Sequence, residues 1–385
     1  MKQTKGKKRL FDPIGRGCVS IGMLLIAVLS MGCASCSGKA GGTGFEPAAG
    51  GDWDISTPEA EGLDRELVER LYANASNVET VRAVLVIKNG KLIAEKYFND
   101  GSIDRRDTIQ SVTKSFTGAL TGIAVEQGLL EGLDQPIVDF FPELRTSIDP
   151  RKQLITIRHL LQMRAGYPWE EASPEGMELL LHEGFRPRHM ADVPLVREPG
   201  SGFDYSNLSS HALAIIIARA ADRDLLLYAR ENLFEPLGIE PGEWRKSWED
   251  YRMGFGELQV TPRDMAKLGQ LYMNGGRWNG EQIVPEDYVE ASLSSYTEDA
   301  WYYRIGRNVR HTGYGYQWWS AQAGKGRYNF AWGHGGQQIA LIKEHDMVVV
   351  VAADPLYLQH GAKPWRYEKE NLNLVGDFVA ALPGF

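Results

Sequence analysis

The strongest constraint on the fold is that the strand-forming segments lie near both ends of the chain, with helical segments between them. Near the start, residues 81–87 and 91–98 flank Asn89-Gly90, a dipeptide typical of a tight β-hairpin. Near the end, Met347–Ala353 is apolar throughout, which indicates a strand buried on both faces. The sequence therefore predicts an α+β fold in which both ends of the chain build one antiparallel sheet.

Helical patterns occupy most of the remaining chain. Helices are predicted at residues 64–75, 111–127, 157–163, 210–220, 262–273 and 366–382. Extended segments are predicted at residues 313–320 and 337–343. The chain from about residue 135 to 300 is thus a mostly helical insertion between the two halves of the sheet, and helices flank that sheet.

The first residues have the pattern of an export signal. Lysines and arginines precede an apolar run at residues 19–31, which is short for a membrane span. Small residues then surround Cys33 and Cys36, which predicts residues 1–36 as a signal peptide; a lipoprotein-type signal would carry lipid on Cys33 or Cys36. Because Leu29 and Met31 depart from the lipoprotein pattern, plain cleavage remains open.

The regions that follow the signal, and the place of the protein in the cell, can also be predicted. Residues 37–52 are rich in Gly, Ala and Ser and predict a flexible tether, and residues 53–385 form the folded domain. We expect an exported protein of the periplasm or cell envelope. Contact with a membrane is expected only through the N-terminal segment or a lipid attached to it.

Composition and missing motifs exclude several classes of function. The formal net charge is −8 without a basic domain, which argues against binding of nucleic acid. The three cysteines all precede residue 37, so the folded domain has no disulfide, thiol nucleophile or thiolate metal site. It contains neither His-Glu-x-x-His nor Gly-x-Ser-x-Gly, so we expect no metal, no cofactor and no α/β-hydrolase elbow.

Ser111 and Lys114 have the spacing of a serine nucleophile and its base. Residues three apart share one face of a helix, so the two side chains can touch. A serine hydroxyl attacks once a neighbour takes its proton, and a lysine can take it when burial lowers its pKa. The charge-free residues 115–125 provide such a setting. The spacing also arises by chance in a chain of this kind, so alone it is only a hypothesis.

Two further motifs support this hypothesis, although each also has a purely structural explanation. Tyr205 and Asn207 follow a turn-rich loop, where they could share a site or form an Asx turn with a packed tyrosine. His334 precedes Gly335 and Gly336, which lead into a strand. Glycines there let a ligand approach the backbone, or they mark a bulge or a tight turn.

The three motifs together resemble a known family. Ser111-Val-Thr-Lys114, Tyr205-Ser-Asn207 and His334-Gly-Gly336 occur in the order of the three signatures of serine β-lactamases and penicillin-binding proteins. Further runs look like the esterase and class C-like branch of that superfamily: residues 155–166, 269–280 and 314–319. The resemblance extends from about residue 81 to the C-terminus. It implies a β-lactamase-like fold and a serine hydrolase domain.

The resemblance implies a role for each residue of the first two motifs. Ser111 would be the acylated nucleophile, and Lys114 would hold or take its proton. Tyr205 would act as general base or proton relay, and as a phenolate it would need a pKa lowered by Lys114. Asn207 would hydrogen-bond the substrate.

The third motif implies the substrate-binding and oxyanion groups, and here the sequence departs from the family. The backbone N–H groups of Ser111 and Gln337 would form the oxyanion hole, and Gly336 directly precedes Gln337. His334 stands where penicillin-binding proteins carry a lysine that contacts the substrate carboxylate, and Gly335 replaces the usual hydroxyl residue. A neutral imidazole is a weaker anchor for a carboxylate, so both changes favour substrates without that group.

The resulting prediction is an exported serine hydrolase that forms a Ser-Lys-Tyr acyl-enzyme with a small-molecule ester or amide. Nylon-oligomer hydrolases and bacterial carboxylesterases are the nearest analogies within the superfamily. Two alternatives stay open: a β-lactamase or D-Ala-D-Ala carboxypeptidase, and an acylatable cell-wall or penicillin sensor with little turnover.

Aromatic residues near the motifs could line an apolar pocket. The candidates are Trp169, Tyr316, Trp318, Trp319 and Trp332. Aromatic walls suit a mostly apolar ligand site. Packing in the core explains each of these residues as well, because large aromatic side chains are usually buried.

Overall fold

A computed structural model describes Pro47 and residues 51–180, 184–301, 305–355 and 364–384. The predicted signal peptide at residues 1–36 lies outside the described residues, as does most of the predicted tether at 37–52.

A seven-stranded antiparallel sheet forms the centre of the described fold. The strands follow one another in the order β2-β1-β11-β10-β9-β8-β7. Their bounds are β1 Val81–Lys88, β2 Lys91–Tyr97, β7 Val309–Tyr314, β8 Trp319–Ala323, β9 Gly326–Gly333, β10 Gln337–Ile342 and β11 Met347–Ala353. Because the N-terminal hairpin pairs with β11, the sheet is built from both ends of the chain, and this confirms the predicted α+β fold.

Both faces of the sheet are covered, which explains why β11 is apolar throughout. Val348 and Val350 face a core shared with helices of the insertion. Val349 and Val351 face a second core, formed with the first and last helices. Since alternate residues of a strand point to opposite faces, a strand between two cores needs an apolar residue at every position.

Helices and short strands fill the rest of the described chain. The α-helices are α1 Arg65–Ser76, α2 Thr113–Glu126, α3 Ile157–Leu161, α4 Pro174–Glu178, α5 His189–Asp192, α6 Asn207–Ala220, α7 Leu225–Ala229, α8 Pro262–Met273, α9 Glu286–Leu293 and α10 Pro364–Ala381. Two small sheets pair β3 Asp107–Thr108 with β4 Gln259–Val260 and β5 Arg277–Trp278 with β6 Glu281–Gln282. Short 3₁₀ helices lie between these elements, and Arg230–Phe234 forms a π-helix.

Two predicted segments differ from the structure. Residues 313–320 are not one extended segment, because β7 ends at Tyr314, a turn follows, and β8 begins at Trp319. Gln317 in this turn has φ of 60°, which no strand residue adopts. The helix predicted at 111–127 begins as a 3₁₀ turn, Gln110–Val112, and becomes α-helical at Thr113.

Within the described residues, no helix combines the length and the apolar character needed to cross a membrane.

Candidate active site

Ser111 and Lys114 lie together where the 3₁₀ turn enters α2. Lys114 is almost fully buried, with 2% of its surface exposed. Its Nζ donates to Ser111 Oγ at 2.9 Å, to Asn207 Oδ1 at 2.7 Å and to the Phe255 carbonyl at 3.0 Å. The structure therefore brings together one residue of the second motif and both residues of the first.

Burial lowers the pKa of Lys114 to about 7, although the negative charges of Glu171 and Glu170 oppose the change. A buried ammonium loses its hydration, so the neutral amine is favoured. Near neutral pH a large fraction of Lys114 is then an uncharged amine that can accept a proton. This is the property that a general base for Ser111 requires.

Asn207, the first residue of α6, is held in place by Glu170. The buried Glu170 carboxylate accepts hydrogen bonds from the Ser206 hydroxyl at 2.8 Å, the Asn207 N–H at 2.8 Å and the Leu208 N–H at 3.0 Å. A carboxylate at a helix N-terminus satisfies free N–H groups and interacts well with the helix dipole. Glu170, which the sequence analysis did not identify, thus fixes the residue that accepts from Lys114.

Tyr205 packs against the lysine rather than pairing with it through its hydroxyl. Lys114 Nζ lies 4.8 Å from the centroid of the Tyr205 ring, and the ring stacks on Trp319. Burial raises the pKa of Tyr205 above its usual value; a hydrogen bond with Ser111 opposes this, and Glu171 adds to it. A phenolate would need a pKa lowered by Lys114, whereas the pKa of Tyr205 is raised, so of the two proposed forms the structure favours the proton relay. The neutral phenol is the form that this environment favours.

The β9–β10 turn carries the third motif. Gly335 and Gly336 have φ of 84° and 85°, a region that favours glycine. His334 Nδ1 lies 3.3 Å from Glu368 Oε2 on α10. Burial lowers the pKa of His334, but the hydrogen bond and charge of Glu368, together with Glu171, outweigh it and raise the pKa overall.

Gly333, the last residue of β9, lets the β9–β10 turn lie close to the backbone of Ser111. A Cβ on Gly333 would lie 2.4 Å from the Ile109 carbonyl and 3.1 Å from the Ser111 nitrogen, so only glycine permits this approach. Gly333 pairs with Gln337 across β9 and β10, so the backbones of Ser111 and Gln337 both adjoin it. The Gln337 side chain hydrogen-bonds the backbone of Ala353, and the group of Gln337 proposed for the oxyanion hole is its backbone N–H.

Ser111 opens into two adjoining spaces. An aromatic cavity of about 310 Å³ contains Tyr205 and Glu368 in its wall. A wider groove of about 600 Å³ is lined by Asn207 and Phe255 among others. Both spaces contact Glu171 and His334, so a substrate bound at Ser111 could extend in two directions.

The aromatic residues proposed for the site divide into two groups. Trp169, Trp319 and Trp332 line the aromatic cavity. Tyr316 and Trp318 are buried in the core behind α2 and α8, with 1% and 0% of their surface exposed. Core packing is therefore the correct explanation for these two.

Several cavity residues were missed by sequence reasoning. They are Glu171, Met177, Trp301, Trp365 and Glu368. None of them lies in a motif, and each comes from a loop or helix whose position depends on the whole fold. The only available signal was the cluster of aromatic residues around residue 301.

Among the described residues, no group of three or more His, Cys, Asp or Glu side chains could hold a metal ion.

Comparison with known proteins places this geometry in a family. The model of the family described as Beta-lactamase matches residues 75–372. The 6-aminohexanoate-dimer hydrolase of Paenarthrobacter ureafaciens is 25% identical over 283 residues, which cover 70% of this chain and 71% of that protein.

Solved structures share the fold at lower identity. EstCE1, described as a hydrolase with promiscuous acyltransferase activity, superposes with a TM-score of 0.64 at 16% identity, covering 84% of this chain and 100% of that chain. An octameric penicillin-binding protein homologue from Pyrococcus abyssi superposes with a TM-score of 0.59 at 22% identity, covering 78% of each chain. Since the family match spans most of the sequence and contains all three motifs, the chain belongs to the beta-lactamase family, in the superfamily of serine β-lactamases and penicillin-binding proteins.

Proposed function

We propose that this protein is a serine hydrolase that cleaves an ester or amide bond through an acyl-enzyme on Ser111. The observation that carries the proposal is the contact of 2.9 Å between Lys114 Nζ and Ser111 Oγ. The same lysine has a pKa of about 7, so it can accept the serine proton at neutral pH.

The proposed reaction follows from the positions of the protons. Lys114 takes the proton of Ser111 as Oγ attacks the substrate carbonyl. The N–H groups of Ser111 and Gln337 donate to the oxyanion. Tyr205, a neutral phenol that hydrogen-bonds with Ser111, passes a proton to the leaving group. Lys114 then returns its proton to the Tyr205 phenolate and is an amine again. Water attacks the acyl-enzyme as Lys114 accepts one of its protons, and this proton passes to Ser111 Oγ when the acid product leaves.

The surroundings of His334 favour substrates without a carboxylate at this position. Glu368 already occupies one side of the imidazole, at 3.3 Å, and would repel a second carboxylate. Gly335 offers no hydroxyl group to a ligand. The similarity to a 6-aminohexanoate-dimer hydrolase and to EstCE1, described as a hydrolase with promiscuous acyltransferase activity, supports cleavage of an amide or ester bond.

The test compares three probes on the wild type and on Ser111→Ala. We expect hydrolysis of p-nitrophenyl butyrate, lost by a factor of about 10³ or more in Ser111→Ala. The exposed Ser201, which lies outside both spaces, provides the matched control Ser201→Ala with wild-type rates.

The other probes identify the alternatives. Fast hydrolysis of nitrocefin would make the protein a β-lactamase. A stable adduct with a fluorescent penicillin, without turnover of any ester, would make it a sensor. Ester hydrolysis that survives in Ser111→Ala would rule out the acyl-enzyme altogether.

We further propose that the protein is exported to the periplasm or cell envelope. The support is the pattern of residues 1–36, in which basic residues, an apolar run and small residues follow one another. Attachment of lipid at Cys33 or Cys36 belongs to the same proposal.

A further inference from the structure

The wall of the aromatic cavity is built mainly from tryptophans. We call this set the tryptophan wall: Trp169, Trp301, Trp319, Trp332 and Trp365. Trp301 contacts all four others, with ring centroids 5.1 to 6.3 Å apart and the rings mostly edge to face. The cavity therefore presents the faces and edges of several indole rings to any group that enters it beside Ser111.

Two carboxylates complete the same cavity. Glu171 accepts a hydrogen bond of 3.0 Å from the Asn207 amide, and Glu368 lies against His334. The described residues that line the cavity include neither Lys nor Arg. Lys369, whose Nζ lies 5.7 Å from the Trp365 ring centroid, is not one of the lining residues.

The charges that face the reaction centre are mostly negative. Burial is the largest cause of the raised pKa of Tyr205, and the negative charges of Glu171, Glu170 and Glu368 raise it further. Glu171 also acts on Lys114 and His334, the two basic groups nearest to Ser111. An anionic ligand would meet this field with repulsion, and a cationic ligand would be attracted by it.

Aromatic faces and carboxylates together are the features that recognise an organic cation. The quadrupole of an indole ring attracts an ammonium group placed over its face, and the attraction is largest for tryptophan. A carboxylate adds a direct charge interaction. A neutral apolar ligand would gain from the rings but would have no charge interaction with Glu171 or Glu368.

Resting on the proposed acyl-enzyme function, we infer that the aromatic cavity holds a cationic group of the substrate. The substrate class is then an ester or amide with a quaternary or primary ammonium, in either its acyl or its leaving part. A cavity of about 310 Å³ is at the small end of ligand pockets, which suits an ammonium head on a short chain.

Pairs of substrates that differ only in charge test this inference. For the leaving part, butyrylcholine is compared with the neutral isostere 3,3-dimethylbutyl butyrate. For the acyl part, the p-nitrophenyl ester of 4-(trimethylammonio)butyric acid is compared with that of 5,5-dimethylhexanoic acid. We expect kcat/KM to be about tenfold or more higher for the charged member in at least one pair. Equal or lower values for the charged member in both pairs would overturn the inference.

Variants locate the effect in the cavity. Glu171→Gln and Trp365→Leu should each reduce the charged-to-neutral ratio of kcat/KM several-fold. Trp365 is 41% exposed, so its replacement leaves the core intact. The matched control is Glu175→Gln, an exposed glutamate on α4 that does not line the cavity and should leave the ratio unchanged. A ratio that falls equally in all three variants would contradict the placement of the cation.

A binding measurement separates this inference from the proposed function. Ser111→Ala cannot form the acyl-enzyme, so butyrylcholine and its neutral isostere can be titrated into it by calorimetry. We expect the charged ester to bind about tenfold more tightly. A wild type that hydrolyses p-nitrophenyl butyrate without preference for charge, and a Ser111→Ala variant that binds both esters equally, would overturn the cation site alone. Tighter binding of butyrylcholine than of its isostere, without hydrolysis of any ester, would instead overturn only the proposed hydrolase activity.

Discussion

At the scale of single residues, the chemistry of the site depends on a lysine that has hydrogen bonds but no counter-ion. Lys114 Nζ bonds Ser111, Asn207 and the Phe255 carbonyl, and no described carboxylate forms an ion pair with it. Removal from water therefore disfavours the charged form, and the negative charges of Glu171 and Glu170 offset this only in part. The burial that disfavours the ammonium form of Lys114 leaves a neutral amine that can act as the base.

The first prediction concerns the pH dependence of activity. Below a pH of about 7 Lys114 is mostly protonated and cannot accept the Ser111 proton, so kcat/KM should rise with pH through an inflection near 7. Lys114→Met should lower kcat/KM by a factor of about 10³ or more and remove the inflection. Rates are measured from pH 5 to 9 with the products separated by chromatography.

The control for this profile is Lys325→Met, which removes an exposed lysine in the β8–β9 turn. It should retain both the rate and the inflection. If the inflection near 7 persisted in Lys114→Met, another group would control the reaction, and the role proposed for this lysine would be wrong.

Sequence reasoning located those site residues whose spacing reflects local geometry. Ser111 and Lys114 come together because residues three apart share a helix face, and this holds wherever the helix lies. Glu368 and Trp365 reach the cavity only because α10 packs beside the β9–β10 turn, and no local pattern encodes that approach. The direction of the Tyr205 pKa was missed for the same reason, since its burial depends on residues from distant segments.

At the scale of secondary-structure elements, a buried ion pair ties α8 to the sheet. Arg263 Nε and Nη2 each donate to one oxygen of Glu95 at 2.7 Å, which is a bidentate contact between α8 and β2. The two side chains are 4% and 1% exposed. Removal of Glu95 would take the bidentate partner from the buried Arg263 guanidinium, which would keep its contact with Asp52 at 2.6 Å.

The next prediction follows from that pair. Glu95→Ala should lower the free energy of unfolding by about 3–5 kcal/mol, because the Arg263 guanidinium is left in the interior. The exposed pair of Arg65 and Glu69 on α1 provides the control, and Glu69→Ala should cost less than about 1 kcal/mol. Urea unfolding of both variants measures the difference. A Glu95→Ala variant as stable as Glu69→Ala would contradict the importance of the pair.

The elements that sequence predicted well are those with a complete local signal. Proline at its first position defines α8, and the predicted bounds 262–273 agree with the structure. β11 was predicted with its observed bounds because its apolar run needs no partner to be recognised. By contrast, β8 and β9 mix glycine with polar and aromatic residues, so they are defined by their pairing in the sheet rather than by their own pattern.

At the scale of the whole molecule, the site is assembled from segments that lie far apart in sequence. Ser111 comes from the segment before the insertion, Asn207 from the middle of the insertion, and His334 and Glu368 from the C-terminal quarter of the chain. The turn between β9 and β10 places His334 beside the nucleophile, and Glu368 on α10 contacts His334. Because all of these residues lie after residue 100, the site needs the folded domain but not the predicted signal and tether.

The final prediction tests where that domain begins and whether the chain is exported. Trp53 is buried beside Trp278, at 6.0 Å between ring centroids, and Asp52 accepts from Arg263 Nη1 at 2.6 Å. A chain that begins at residue 51 should therefore unfold at the same temperature as the full-length protein and keep its kcat/KM. A chain that begins at residue 57 loses both contacts and should be destabilised by about 3 kcal/mol or more, by analogy with loss of a buried tryptophan.

The same proteins, expressed in a bacterial host, separate the domain boundary from export. The full-length chain should collect in the envelope fraction, and the chain that begins at residue 51 should stay in the cytosol, because only the former carries residues 1–36. A full-length chain found in the cytosol would refute export while leaving the boundary untouched. Equal melting temperatures for the chains that begin at 51 and 57 would refute the boundary, since the contacts of Trp53 and Asp52 would then contribute nothing to the fold.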